Sequence, residues 1–304
     1  MMLAILQSEL IPSIPLADWT ESVVDWITDT FDGVFDVLDS VIDFVINLLE
    51  TVLLAPPALG MVAILGVIAF LLAGWRVALF TVLGLVFIIS LDLWEAAMQT
   101  LALVLAATVV ALAIGIPIGI IAAKSSGVEA TIRPILDIAQ TMPAFVYLVP
   151  IVVLLGIGAG PALIATVIFA MPPAVRLTML GIQQVPKDTV EAAHAFGATP
   201  WQTLFKVELP LSLKTIMAGV NQVIMLSLSM VVIAGLAGAG GLGEPVVTGL
   251  SQLNVGTSFV GGVGIVVIAI MLDRITRALA GRDRGGASKF FSRGKGADAP
   301  EGKA

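Results

Sequence analysis

The sequence contains no cysteine, one histidine and one tyrosine, and only 12% of its 304 residues are charged. Each scarcity removes a class of chemistry. Without cysteine there is no disulfide, no thiolate nucleophile and no thiolate metal ligand. The lone His194 cannot build a histidine metal cluster, and it reads as a surface loop residue. No phosphate-binding P-loop and no nucleophile–His–acid arrangement is present, so the chain is expected to be no enzyme. Lysine and arginine are absent before Arg76, so the start lacks the basic region of a cleaved signal peptide. The charged fraction is about half that of a soluble protein.

What fills the chain instead is apolar: 58% of residues are hydrophobic. Runs of about 20 such residues recur from Val52 onward, and as helices each could cross roughly 30 Å of hydrocarbon. The expected spans are 52–73, 77–91, 95–123, 138–157, 161–182, 212–237 and 257–280. All fifteen basic residues then fall on one side of the bilayer. By the positive-inside rule that side is cytoplasmic, which puts the N-terminus outside and the C-terminus inside. The fold expected is an all-α polytopic membrane bundle of about seven transmembrane helices plus an N-terminal amphipathic interfacial helix.

Four regions follow. Residues 1–51 form an external acidic segment in which Asp18, Glu21, Asp25, Asp29, Asp32, Asp36, Asp39 and Asp43 step by three or four along one helical stripe. Its apolar faces suit the external interface, with the acids in water, or packing on the chain's own helices. Residues 52–91 hold two accessory spans. Residues 92–280 hold the transmembrane core, with a cytoplasmic loop at 183–211. Residues 281–304 form a basic, Gly-rich tail expected to be disordered.

Polar residues inside the spans either bridge helices or line a wet path. Gln140, Thr141, Tyr147, Asn221 and Gln222 lie near proline-interrupted segments and are the path candidates. No intramembrane acid–base series of the kind used by proton-coupled carriers is present. The stretch "GAGGLGE" (238–244) matches a dinucleotide-binding pattern in letters, but it follows a membrane helix rather than a strand, so a tight external turn is the better reading.

The loop "EAAHAFGATPWQTLFKVELP" (191–210) is charged yet carries Phe196, Trp201 and Phe205. Asp188 and Glu191 have capping-box spacing, Gly197 suits a left-handed helix end, and Thr199, Pro200 and Gln202 suit a second helix start. Pro210 is expected to stop that second helix. Its aromatics could tuck under the chain's own helices or form a docking surface.

The loop resembles the cytoplasmic signature of ABC importer permeases: Glu191, Ala192 and Ala193, then Gly197, then Val207, Leu209 and Pro210, all in register. "LDIAQTMPAFVYLVP" (136–150), "ATVIFAMPPAVRLTMLGIQQVP" (165–186) and residues 217–243 are similar to the glycine betaine/proline betaine/choline branch of that family. The resemblance implies a permease subunit whose loop couples to a separate ATPase through Glu191, Ala192, Ala193, Gly197, Trp201, Phe205, Leu209 and Pro210. It further implies a second copy of the chain, an external substrate-binding protein on another chain, and no nucleic-acid partner. ATP and Mg would bind the ATPase, leaving this chain without cofactor or metal. With one tyrosine here, an aromatic cage for a quaternary ammonium is expected on the binding protein. The alternatives are an ABC permease for another small polar solute such as an amino acid, and a secondary carrier that uses no ATP.

Overall fold

The computed structural model describes residues 15–282, and among these the chain is helical with no strand. The expected disordered tail lies outside the described residues except for its first two. In chain order the helices are α1 (Leu16–Leu54), α2 (Ala58–Ala73), α3 (Trp75–Ser90), α4 (Trp94–Lys124), α5 (Ser126–Thr141) and α6 (Ala144–Leu155). Then come α7 (Ala159–Gln183), α8 (Lys187–Ala195), α9 (Pro200–Thr203), a π turn (Leu204–Glu208), α10 (Leu209–Leu236), α11 (Gly243–Ser251) and α12 (Val255–Arg282).

Four stretches are long and apolar enough to cross a membrane unaided: α4, α7, Pro200–Leu236 and Val255–Leu279 of α12. They correspond to the expected spans 95–123, 161–182, 212–237 and 257–280. The other three expected spans are altered. Expected span 52–73 begins on the last turn of α1, and the chain bends by 99° before α2. Pro56 and Pro57 explain the break, because a proline lacks a backbone donor and disfavours helix before it. Expected span 138–157 is cut in two: Met142 is extended (ψ 134°) ahead of Pro143, and α5 and α6 meet at 94°. The third, α3, is helical but has 16 residues, about 24 Å, short of a roughly 30 Å core.

The N-terminal helix also departs from the expectation of a stripe wholly in water. It kinks at Phe31 (φ −118°, ψ 15°) and then packs its second half on α4, α6 and α7. Ile42 and Ile46 are buried there, with Asp39 and Asp43 half-buried beside them, whereas Glu21, Asp25, Asp29, Asp32 and Asp36 are exposed. Asp39 turns its carboxylate onto Gly160, where a Cβ would lie 2.0 Å from Oδ1.

The centre of the bundle is α7, packed against α4 on one side and α10 on the other. Small residues bring these backbones together: a Cβ on Gly119 of α4 would stand 2.7 Å from the Val175 carbonyl and from Thr178 Cβ. In lipid, where apolar burial drives association weakly, such close van der Waals packing holds helices together. Two apolar clusters result. One joins α1, α4, α6, α7 and α10, the other the end of α1 with α2, α3, α4, α10 and α12. Large apolar side chains such as Val109, Ile121, Val149, Phe259 and Val266 remain exposed, as suits helices solvated by hydrocarbon.

At one end of the bundle the Gly-rich turn expected at 238–244 is present, with φ of +77°, +70° and +68° at Gly238, Gly240 and Gly241. It is clipped to α4: Gly241 N–H donates to Gln99 Oε1 at 3.0 Å, and Leu242 N–H donates to Thr100 Oγ1 at 2.8 Å. The helix α11 starts directly from this turn, at Gly243.

Candidate functional site

At the opposite end of α4, the loop 187–210 is built as two helices joined at a glycine. The first, α8, starts after Pro186 with no side-chain cap. The expected Asp188–Glu191 capping box is therefore not formed, because the helix begins at Lys187 and Asp188 already lies inside its first turn. Its end follows the local code closely. Gly197 has φ +81°, its N–H donates to the His194 carbonyl at 2.9 Å, and Ala198 N–H donates to the Ala193 carbonyl at 3.0 Å. That pair of bonds is a Schellman cap, which needs a left-handed residue where Gly197 stands.

Thr199 then caps α9. Its Oγ1 accepts from Gln202 N–H at 3.3 Å, and Gln202 Oε1 accepts from Thr199 N–H at 2.9 Å. Pro200 takes the first helical position, where its missing donor costs nothing. Pro210 does not stop the helix, as the sequence led us to expect; it sits in the first turn of α10. Leu204–Glu208 widens into a π turn in which Leu209 N–H donates back to the Leu204 carbonyl. The extra residue lets the backbone pass a proline that would otherwise clash with the preceding turn.

The apolar side chains on this loop split into two sets. Leu204 is buried and anchors the loop to the bundle. Phe196, Trp201 and Phe205 are 93%, 70% and 57% exposed, and Trp201 and Phe205 stack with ring centroids 5.7 Å apart. They do not tuck under the chain's own helices. Glu191 and Ala192 are exposed and Ala193 is half-buried. Glu191 lines a cleft of about 260 Å³ with Lys124, Gln183, Lys187, Val190 and Glu208. Leu209 is half-buried and Pro210 exposed where the loop re-enters the bundle.

Two polar features near this end were invisible at the level of motif. Lys124, the last residue of α4, makes an ion pair with Glu208, which is 5% exposed. Glu129 of α5 accepts from Gln183 Nε2 of α7 at 3.1 Å and pairs with Arg133. The signal for the first lay in the sequence only in part: a carboxylate flanked by Val207 and Leu209 needs a partner once those neighbours pack.

The five path candidates are not gathered at one place. Gln140 and Thr141 are exposed on the last turn of α5, beside the bend. Tyr147 of α6 donates its hydroxyl back across that bend to the Ala139 carbonyl. Asn221 meets Thr276, whose hydroxyl donates to its Oδ1 at 2.9 Å, and so joins α10 to α12. Its neighbour Gln222 is exposed, about 100° further round α10. Among the described residues no group of three or more acidic or histidine side chains is placed to hold a metal ion.

Residues 115–284 match the family described as binding-protein-dependent transport system inner membrane component. The chain is 49% identical over 270 residues to the glycine betaine/proline betaine transport system permease protein ProW of Escherichia coli, covering 89% of this chain and 76% of that one. It is 47% identical over 267 residues to the glycine betaine transport system permease protein OpuAB of Bacillus subtilis, covering 88% and 95%. To the glycine betaine/carnitine transport permease protein GbuB of Listeria monocytogenes it is 54% identical over 204 residues, covering 67% and 72%. A chain of the MetNI methionine ABC transporter, solved in inward-facing conformations, superposes with a TM-score of 0.53 at 25% identity, over 59% of this chain and 92% of that one. The helical fold is thus that of an ABC importer permease, and the chain belongs to the binding-protein-dependent transport system inner membrane component family.

Proposed function

We propose that this chain is the permease subunit of an ATP-driven importer for glycine betaine and related quaternary ammonium solutes, and that its loop 187–210 docks a separate ATPase subunit. The observation that carries the docking is the exposed Phe196–Trp201–Phe205 surface on two capped helices. Aromatic anchors on a rigid scaffold are what a protein partner grips. ATP and Mg would be held by that partner, and a second copy of this chain would complete the pathway. An external binding protein would deliver the solute, with the N-terminus outside and the C-terminus in the cytoplasm. The basic residues at one side of the spans support that orientation, and the names of ProW, OpuAB and GbuB support the solute class.

In this account the solute path lies between the two copies, with Gln140, Thr141 and Gln222 offering exposed amide and hydroxyl groups to it. Tyr147 would hold the α5–α6 bend beside that path, and Asn221 would fix α10 against α12. The docking is tested by co-purification of the ATPase with Trp201→Ala/Phe205→Ala. Loss of the ATPase with the permease still inserted is expected; undiminished capture would contradict the docking.

A further inference from the structure

Glu208 is the one buried charged side chain among the described residues. A buried carboxylate is costly to desolvate, and its partner Lys124 keeps 45% of its side chain exposed, so the pair sits at the edge of the packed bundle rather than inside it. A charge pair held at that edge can serve a role other than stability. The place of Glu208 in the fold supplies one. It closes the π turn that hands the docking loop over to α10, and its partner Lys124, 84 residues away, is the last residue of α4. The same cleft that holds the pair is lined by Glu191 and Lys187 of α8.

The far end of α4 is equally fixed. Gln99 and Thr100 hold the turn at Gly241 and Leu242, so one helix spans ~37 Å, at 1.5 Å per residue, between the docking loop and the opposite turn. Along it, Gly115 and Gly119 bring its backbone into close contact with α7. We propose that Lys124 and Glu208 are positioning residues of the transport cycle: their ion pair transmits movement of the docking loop to α4, and α4 carries it to the turn at 238–243. The proposal rests on the docking reading above. A π turn is a weak point in a helix, so without the pair the loop could shift while α4 stayed in place.

The test uses the full complex of permease, cognate ATPase and binding protein in proteoliposomes, with radiolabelled glycine betaine as probe. Glu208→Gln keeps side-chain size and Lys124→Gln is one bond shorter than lysine; each removes one charge. Both are expected to retain the ATPase on co-purification and to lose roughly tenfold in uptake per ATP hydrolysed, a coupling loss of ordinary size. The doubly neutral Lys124→Gln/Glu208→Gln should be no worse than either single variant, because the interaction is already gone. Lys124→Glu/Glu208→Lys should recover part of the coupling that either reversal alone destroys. Wild-type coupling in Glu208→Gln, or fully additive losses in the double variant, would overturn the proposal. Trp201→Ala/Phe205→Ala, run in parallel, separates the two ideas: it should lose the ATPase itself, and if it does not, the docking reading fails whatever Glu208 does.

Discussion

Gly197 offers a perturbation whose size can be worked out from geometry. Its φ is +81°, and a Cβ built there would meet nothing within 4 Å. Substitution therefore costs backbone energy alone, with no clash inside this chain. The left-handed region costs an ordinary L-residue about 1–2 kcal/mol, and a β-branched residue lies at the upper end. About 2 kcal/mol shifts the balance between a closed and an opened cap roughly thirtyfold. Asparagine, which tolerates this region, should cost least although it is larger than alanine. Coupling in reconstituted vesicles should then rank Asn above Ala above Val, read as ATPase stimulation by loaded binding protein. Membrane insertion should be the same in all three, since the cap lies outside the packed core. If the ranking instead follows side-chain volume, with Ala above Asn, the left-handed cap is not what matters there. Wild-type coupling in Gly197→Val would refute the reasoning outright.

Three further sets of substitutions probe other links. Thr199→Ala removes the reciprocal cap of α9 and should weaken coupling by about 1 kcal/mol, whereas Thr199→Ser should retain it; ATPase stimulation distinguishes them, and equal loss in both would exclude capping as the cause. Gly119→Leu forces a side chain into the α4–α7 contact, where a Cβ would already stand 2.7 Å from a carbonyl. It should cost about 1–3 kcal/mol or more and show as a lower melting temperature of the purified permease; an unchanged value would mean the helices are free to separate. Single cysteines at Gln140, Thr141 and Gln222, in a chain with no native cysteine, should react with small polar thiol reagents in at least one transport state. A cysteine at Asn221 should react far less, and failure of the first three would remove them from the path.

Much of the loop was legible because its determinants are local. Thr199, Pro200 and Gln202 specify a capped start, and Gly197 a left-handed end, without help from the rest of the fold. The long helices were legible for the same kind of reason, since a run of apolar residues must satisfy its backbone internally. Prolines were harder. Pro117, Pro150, Pro172 and Pro173 stay within helices, while Pro143 separates two and Pro210 opens one. Which outcome occurs depends on whether neighbours or a π turn absorb the lost bond, and that is tertiary information. The Lys124–Glu208 pair joins positions 84 residues apart, so no periodicity could reveal it. The inward turn of Asp39 and Asp43 was hidden likewise, because their stripe continues the exposed acids of α1 and only packing on α7 sets them apart.

The central claim is that this permease moves its solute at the expense of ATP bound elsewhere. Proteoliposomes holding the permease and its ATPase, with binding protein and radiolabelled glycine betaine outside, test it most directly. Accumulation is predicted only when ATP is trapped inside and binding protein is present outside, and it should persist after ionophores collapse every ion gradient. Accumulation driven by a sodium or proton gradient without ATP would contradict it.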